Sequence, residues 1–357
     1  MNDDSSFMAR ALFLAERGRG RTSPNPIVGA VVVSPDGVVV GQGAHLAAGG
    51  PHAEIAALDM AGDRARGATL YCTLEPCAHI GRTGPCVERI VAAGIARVVA
   101  AVQDPNPKVA GRGIEFLRAH GTEVVLDLGR DQARLQNASF FTWVTRQRPF
   151  VILKSAVSAD GFVGRPDGPI KLTGPVADRY FHRQRAEVDA IAVGSGTVLT
   201  DDPLLTPRGV YRERPLTRVL FDRRARIPAN ARVLSTLGAG PVIMIVSARR
   251  AGGAEGHLAA LEKQGVVIDR VGDESLAVVL GRLAGRGVLS LLVEGGPTLQ
   301  QAFIDQRLVS RLQWVASPKS LGSGVPAALR DGLDVEEPRI TTLGDDVLME
   351  TDVYGSD

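Results

Sequence analysis

Cysteine is scarce: three in 357 residues, an odd number that argues against a disulfide framework. A dominant charge is missing too, since 41 Lys+Arg balance 39 Asp+Glu to a formal net charge of +2. That gives no case for a nucleic-acid surface built on charge. Aromatic residues make up only 4%, leaving few platforms on which single-stranded bases could stack. Long hydrophobic runs are also lacking: none approaches the ~20 residues of a membrane span. The opening MNDDSSFMAR has no apolar core of a signal peptide. The expectation is a cytoplasmic enzyme or binding protein with reduced cysteines, in contact with neither nucleic acid nor membrane. With 45% hydrophobic and 22% charged residues the composition is that of an ordinary globular chain, and its length predicts two domains.

Residues 27–43, IVGAVVVSPDGVVVGQG, read as a hairpin of two β-branched runs joined by Pro35-Asp36-Gly37. HAEIAALDMAG follows as a short helix ending at Gly62, then ATLYCTL as a strand, CVERIVAAG as a helix and ARVVAAV as a strand. GRGIEFLRAHG, TEVVLDL and RDQARLQNASFFTWV continue as helix, strand and one helix. This alternation predicts a mixed or parallel sheet with helices on its faces. TRQRP at 145–149 interrupts it, so the predicted domains are 1–146 and 149–357. In the second half, strands are expected near 150, at 189–194, 216–222, 241–247, 266–271 and 288–296. VADRYFHRQRAEV and TLQQAFIDQRLV read as helices, GVYRERP and SARRAGGAEGH as exposed loops.

The first half carries a metal-binding pattern. His52 and Glu54 precede Cys77 and Cys86, and one histidine with two thiolates makes a three-ligand zinc site with its fourth position open. Such a site acidifies water, and Glu54 is then the catalytic residue that carries a proton from that water to a departing amine. His52, Cys77 and Cys86 each follow a proline, which predicts that each ligand starts a helix, where the dipole favours thiolate. Taken alone, an H-x-E is common by chance, and two cysteines nine positions apart are more often small buried hydrophobes. Together they point to zinc. Cys72, inside the apolar run TLYCTL, reads as core.

The H-A-E…P-C…C pattern resembles the zinc deaminases, and its wide loop CAHIGRTGPC sets it apart from those with C-x-x-C. With SPNPIVGAVVV, TLEPC and DPNPKVAGRG, it resembles the bacterial bifunctional riboflavin-biosynthesis deaminase–reductases over almost the whole chain. The resemblance implies an N-terminal cytidine-deaminase-like three-layer α/β domain and a C-terminal dihydrofolate-reductase-like α/β domain. It implies zinc-dependent deamination of a diamino-ribosylamino-pyrimidinone 5′-phosphate, then NADPH reduction of the ribosyl group to ribityl. Asn25, His45 and His79 would line the pyrimidine pocket, with Arg82 or Lys108 at the phosphate. A homo-oligomer is also implied.

In the second half the resemblance rests on LKSAVSADG, GSGTVLTDDPLLTPR and VEGGPTL. It assigns Ala156, Thr197, Asp201, Gly296, Pro297 and Thr298 to NADPH, and Arg185, Leu205, Arg208 and Glu294 to the ribosyl-phosphate substrate. A strand ending in Gly-Gly before a Pro-led helix suits a cofactor phosphate, and arginine forks suit the substrate phosphate. Lys171 stands at the cofactor position where the family has tryptophan, and Pro169 where it has serine. Three competing readings follow from the residues: a single-activity deaminase with a degenerate second domain, a nucleic-acid editing protein, and a structural zinc module. Near-neutral charge weighs against the second and the three-ligand count against the third.

Overall fold

The computed structural model describes residues 3–78, 84–107, 109–165, 168–272, 274–328, 333 and 335–353. The chain divides into two compact units, Met1–Gln147 and Arg148–Asp357. Among the described residues no helix is long and apolar enough to cross a membrane.

In the first unit α1 (Asp4–Ala15) is capped by Asp3, whose carboxylate accepts from the Ser6 amide. The hairpin is β1 (Gly29–Val33) and β2 (Val39–Ala44), followed by α2 (Ala53–Ala61), β3 (Thr69–Cys72), α3 (Cys86–Ala92) and β4 (Arg97–Ala100). Then come α4 (Arg112–Ala119), β5 (Glu123–Leu126), α5 (Arg130–Gln136) and α6 (Ala138–Arg146). The strand order is β2-β1-β3-β4-β5, antiparallel on the hairpin side and parallel from β3 to β5.

Two glycines show why the layers close so tightly. A Cβ on Gly29 would lie 1.9 Å from the Ala11 carbonyl of α1, and one on Gly43 would lie 2.3 Å from the Ala53 carbonyl of α2. Gly43 is paired with Ala30, the neighbour of Gly29, and neighbouring strand residues face opposite ways. So α1 and α2 cover opposite faces, giving the three layers. Cys72 is fully buried in the core between them.

RDQARLQNASFFTWV was expected to be one helix, and it is two. Asn137 leaves helical geometry at φ −106°, and its buried amide brackets the backbone of Ile27, accepting from its N–H at 2.8 Å and donating to its carbonyl at 2.9 Å. Two bonds to a distant loop outweigh one more helical turn.

The second unit begins with β6 (Phe150–Val157), β7 (Phe162–Gly164), α7 (Pro175–Glu187), β8 (Ala190–Gly194) and α8 (Ser195–Asp201). It continues with β9 (Thr217–Phe221), β10 (Val242–Ser247), α9 (Glu255–Lys263), β11 (Val267–Val271), α10 (Leu276–Gly285), β12 (Ser290–Val293) and α11 (Pro297–Asp305). It ends with β13 (Arg311–Ala316), β14 (Val325–Pro326), β15 (Arg339–Leu343) and β16 (Asp346–Asp352). The nine-stranded sheet runs β11-β10-β9-β8-β12-β6-β13-β16-β15, parallel from β11 to β13 and antiparallel beyond. Its interior strands β10 and β12 are buried at every position, which is why they read as unbroken apolar runs.

The sequence reading left β13, β15 and β16 unassigned, because their apolar residues are interleaved with charge at the sheet's antiparallel edge. Two expected loops also do more than connect. SARRAGGAEGH runs into α9 at Glu255. In GVYRERP, Tyr211 is exposed, but the Arg212 guanidinium donates to the carbonyls of Arg185, Ala186 and Val188 and so caps the end of α7.

Candidate active sites

In the first unit a cavity of about 380 Å³ is lined by Asn25, His45, His52, Glu54, Glu75, Cys77, Asp104, Asn106 and Val109, among others. His52 is the N-cap of α2 and Cys86 its counterpart at the first position of α3. The prolines therefore stand just outside the helices, Pro85 as the N-cap of α3 and Pro51 one residue before that of α2. Cys77 does not begin a helix within the described residues; it lies in the irregular stretch 75–78. The Nδ1 of His52 faces both sulfurs, 3.1 Å from Cys86 Sγ and 3.5 Å from Cys77 Sγ. All three donor atoms lie within 4.8 Å of one another. One imidazole nitrogen and two sulfurs so placed fit a zinc ion.

The electrostatics agree. A hydrogen bond from Cys86, together with His52, pulls the Cys77 thiol down, to about 4. The same contact, with burial, holds the Cys86 thiol up. A thiolate beside a thiol is a pair that a divalent cation converts into two thiolate ligands. Glu54, in the first turn of α2, is 4% exposed; burial pushes its carboxyl up, to about 7, and the Cys77 charge adds to the push.

His45 Nδ1 lies 3.0 Å from the Pro51 carbonyl, which only accepts, so that nitrogen carries the hydrogen. Its Nε2 then accepts from the Asn25 amide at 3.1 Å. Burial pushes His45 down, in keeping with a neutral ring. His79, Arg82 and Lys108 lie outside the described residues.

Sequence reasoning missed Glu75 and Asn137. The Glu75 carboxylate, 3% exposed, accepts from four backbone amides: Asp104, Gly111, Gly113 and Ile114. It thereby hangs the segment that contributes Asp104, Asn106 and Val109 to the cavity. Asn137 holds Ile27, two residues from Asn25. A glutamate next to Pro76-Cys77 was the available signal for the first; Asn137 looked like any helical residue.

In the second unit a cleft of about 660 Å³ opens at the C-terminal ends of the parallel strands. This is the edge at which α/β sheets place ligands. Thr197, Asp201, Gly296, Pro297 and Thr298 line it together. Ala156 and Lys171 do not: Ala156 packs against Ala177, Phe181 and Val315, and the Lys171 ammonium pairs with Asp178 at 2.6 Å. The reason for Lys171 is local, since Asp178 sits in the first turn of α7 just beyond it. Phe221, Ile245, Val271 and Leu276 supply apolar wall, so shape, size and donors fit a dinucleotide.

The substrate candidates form a charged cluster. Arg185 and Glu294 make a two-pronged ion pair, with Arg185 Nε 3.2 Å from Glu294 Oε1 and the second contact between Nη2 and Oε2. Lys154, which sequence reasoning did not single out, sits 4.7 Å over the Phe181 ring, its pKa lowered by burial against the pull of Glu294. Burial works to raise Glu294, but Arg185 and Lys154 bring it below its usual range. Two cations around one carboxylate leave a positive excess suited to an anionic substrate. The Arg208 amide lies 3.2 Å from His182 Nδ1 and its Nε 3.1 Å from Nε2; a neutral imidazole accepts at one of the two. Leu205 is buried at a positive φ of 53°.

Comparison with known proteins matches residues 1–102 to the cytidine and deoxycytidylate deaminase zinc-binding region and residues 149–349 to the RibD C-terminal domain. The chain is 38% identical over 353 residues to the riboflavin biosynthesis protein RibD of Aquifex aeolicus, covering 97% of each. Among solved structures, Acinetobacter baumannii RibD superposes with a TM-score of 0.88 at 34% identity, covering 99% of both chains. A diaminohydroxyphosphoribosylaminopyrimidine deaminase/5-amino-6-(5-phosphoribosylamino)uracil reductase from Thermotoga maritima gives 0.86 at 34% identity, covering 98% of each.

Proposed function

Because this chain belongs to the RibD family of bifunctional riboflavin-biosynthesis deaminase–reductases, we propose how its own residues divide the two reactions. The N-terminal unit is a zinc-dependent deaminase and the C-terminal unit an NADPH-dependent reductase. Full-length similarity favours both activities over a deaminase carrying a degenerate second domain.

His52, Cys77 and Cys86 hold the zinc, which when bound supplies the Lewis acidity that readies water at neutral pH. Asn25, tethered through its amide to His45, keeps its carbonyl oxygen for a donor on the pyrimidine edge. Glu54 takes a proton from the attacking water and delivers it to the amine, so that a C–O bond forms, the C–N bond breaks and ammonia leaves. His79, with Arg82 or Lys108, completes the substrate contacts in the same reading.

In the second unit NADPH supplies the hydride. Thr197, Asp201 and the start of α11 at Gly296, Pro297 and Thr298 hold the cofactor; Ala156 and Lys171, which lie outside the cleft lining, are assigned to it by the resemblance alone. Arg185, Arg208, Leu205 and Glu294 hold the ribosyl phosphate, and buried Lys154 stabilises negative charge as the sugar carbonyl is reduced. The chain works as a homo-oligomer, as its resemblance to that class of reductases implies. We place it in the cytoplasm, because its three cysteines are unpaired and the zinc thiolates need a reducing compartment.

The clustering of one imidazole nitrogen and two sulfurs, with His52, Cys77 and the buried Glu54 on the wall of one cavity, carries the deaminase reading. Glu54→Gln should keep one zinc per chain while deamination falls by about 10²–10⁴-fold. Metal analysis beside a coupled assay on the pyrimidine phosphate, with and without NADPH, checks both halves. Near-normal deamination by the variant would remove Glu54 from its role.

A further inference from the structure

The charged cluster around Glu294 includes one titratable side chain that the roles above leave unused, His182. Asp178, His182 and Arg185 lie four and three positions apart on α7, which puts them on one face of the helix. Two of the three are occupied within the cluster: Arg185 by its two-pronged pair with Glu294, and Asp178 by Lys171 at 2.6 Å and the Thr173 hydroxyl at 2.7 Å. His182, between them, meets Arg208, which arrives from the loop after α8.

That loop is held in its course from outside. Asp202 and Leu205 both adopt positive φ, 39° and 53°, a region costly for residues with a Cβ. The Asp202 carboxylate accepts from the Arg232 amide at 2.8 Å, Leu205 is buried, and the far end is fastened at the His182 ring. There the Arg208 amide lies 3.2 Å from Nδ1 and the Arg208 Nε 3.1 Å from Nε2. Both are donors, and the charged guanidinium makes the stronger bond, which assigns Nε2 as the acceptor and leaves the hydrogen on Nδ1. Burial, then the cations Arg185 and Arg208, lower the His182 pKa against the pull of Glu294 and Asp178, so the ring stays an acceptor at neutral pH. Among the described residues no carboxylate pairs with Arg208. A bond at Nε leaves its two terminal nitrogens, a fork that grips phosphate in two-pronged fashion.

We propose that His182 is a positioning residue of the reductase: its ring holds the Arg208 guanidinium in the pose that meets the substrate phosphate, without itself touching the substrate. Preference for a phosphorylated sugar then depends on this histidine as well as on the arginine. The proposal rests on the reading of Arg208 as a phosphate ligand. The physical gain is preorganisation. An exposed arginine gives up the freedom of a long side chain when it grips a ligand, and the ring has fixed much of that side chain beforehand.

Steady-state reduction of the deaminated pyrimidine ribosyl phosphate by the full chain, at saturating NADPH, tests it. His182→Leu removes the acceptor and should raise KM roughly 5- to 50-fold, the size of one charge-assisted contact at a half-exposed site, with a much smaller change in kcat. His182→Gln places an amide oxygen as far along the side chain as Nε2 and should keep KM within about threefold of the unaltered chain. His182→Asn places its oxygen level with Nδ1 and should behave like leucine. This glutamine–asparagine contrast reads the contact without a change in polarity. On the substrate lacking its phosphate, all four proteins should share one KM. Arg208→Gln should raise KM at least as much as His182→Leu, and combining the two should add little. An unaltered KM in Arg208→Gln would remove the phosphate reading and this proposal with it. Where Arg208→Gln does raise KM, three results would each overturn the proposal alone: an unaltered KM in His182→Leu, an equal rise on the phosphate-free substrate, or rescue by asparagine and not glutamine.

Discussion

Replacing Glu75 by glutamine changes one oxygen to an NH₂ group and nothing else in size. The Oε1 of Glu75 accepts from Gly113 at 2.9 Å and Ile114 at 3.3 Å, and Oε2 from Gly111 at 3.0 Å and Asp104 at 3.2 Å. Whichever way the glutamine amide turns, two of these N–H groups face another donor. Each lost bond to a charged acceptor is worth about 1.5–3 kcal/mol. With the carboxylate 3% exposed, water replaces little of it. The total is about 3–6 kcal/mol, a large share of the ~5–15 kcal/mol that holds a domain folded.

The loss should appear first as local opening of 104–114, not as global unfolding. Amide exchange at Asp104, Gly111, Gly113 and Ile114 should speed up by about 10²–10⁴-fold, and amides of β10 and β12 should be unchanged. Because Asp104, Asn106 and Val109 line the cavity, KM for deamination should rise well before kcat falls, with zinc content retained. Hydrogen exchange read by mass spectrometry or NMR, together with steady-state deamination kinetics, decides the matter. Unchanged exchange at those four amides would refute the view that one carboxylate suspends the segment.

Gly43→Ala should force α2 away from the sheet, since the new methyl would lie 2.3 Å from the Ala53 carbonyl and 2.8 Å from the Ala57 amide. A cost of about 1–3 kcal/mol and reduced zinc occupancy are expected, because Ala53 lies between His52 and Glu54; a melting curve and metal analysis matching wild type would show that the close approach does not position the ligands. Glu294→Gln should destabilise the reductase unit by about 3–5 kcal/mol and lower reduction while sparing deamination, because buried Arg185 and Lys154 lose their counter-charge. Since Glu294 is held below its usual range, its contribution is complete above about pH 4.3 and fades as pH falls through its lowered folded value. The gap between wild type and variant in urea denaturation should therefore narrow only in acid; a gap that narrows toward alkaline pH would reverse the assigned charge.

That His52, Cys77 and Cys86 come together as a candidate metal site was legible from residues alone, as were most strands of both sheets. Buried parallel strands such as β10 and β12 declare themselves by unbroken apolar runs. The antiparallel edge strands β13, β15 and β16 did not, because alternation with charge blurs the period. Splitting the predicted helix at Asn137 required a partner 110 positions away.

By itself the sequence determined the chemistry of the metal site. Histidine, glutamate and two cysteines bring their donor types wherever the chain places them, and His52 and Glu54 share the start of one helix. Only the tertiary structure decided how those groups are held and what surrounds them. Glu75 reaches amides 29 to 39 positions on, and Arg185 meets Glu294 across 109 positions. Such placements depend on which strands pair and which faces pack, and no short stretch of sequence encodes that.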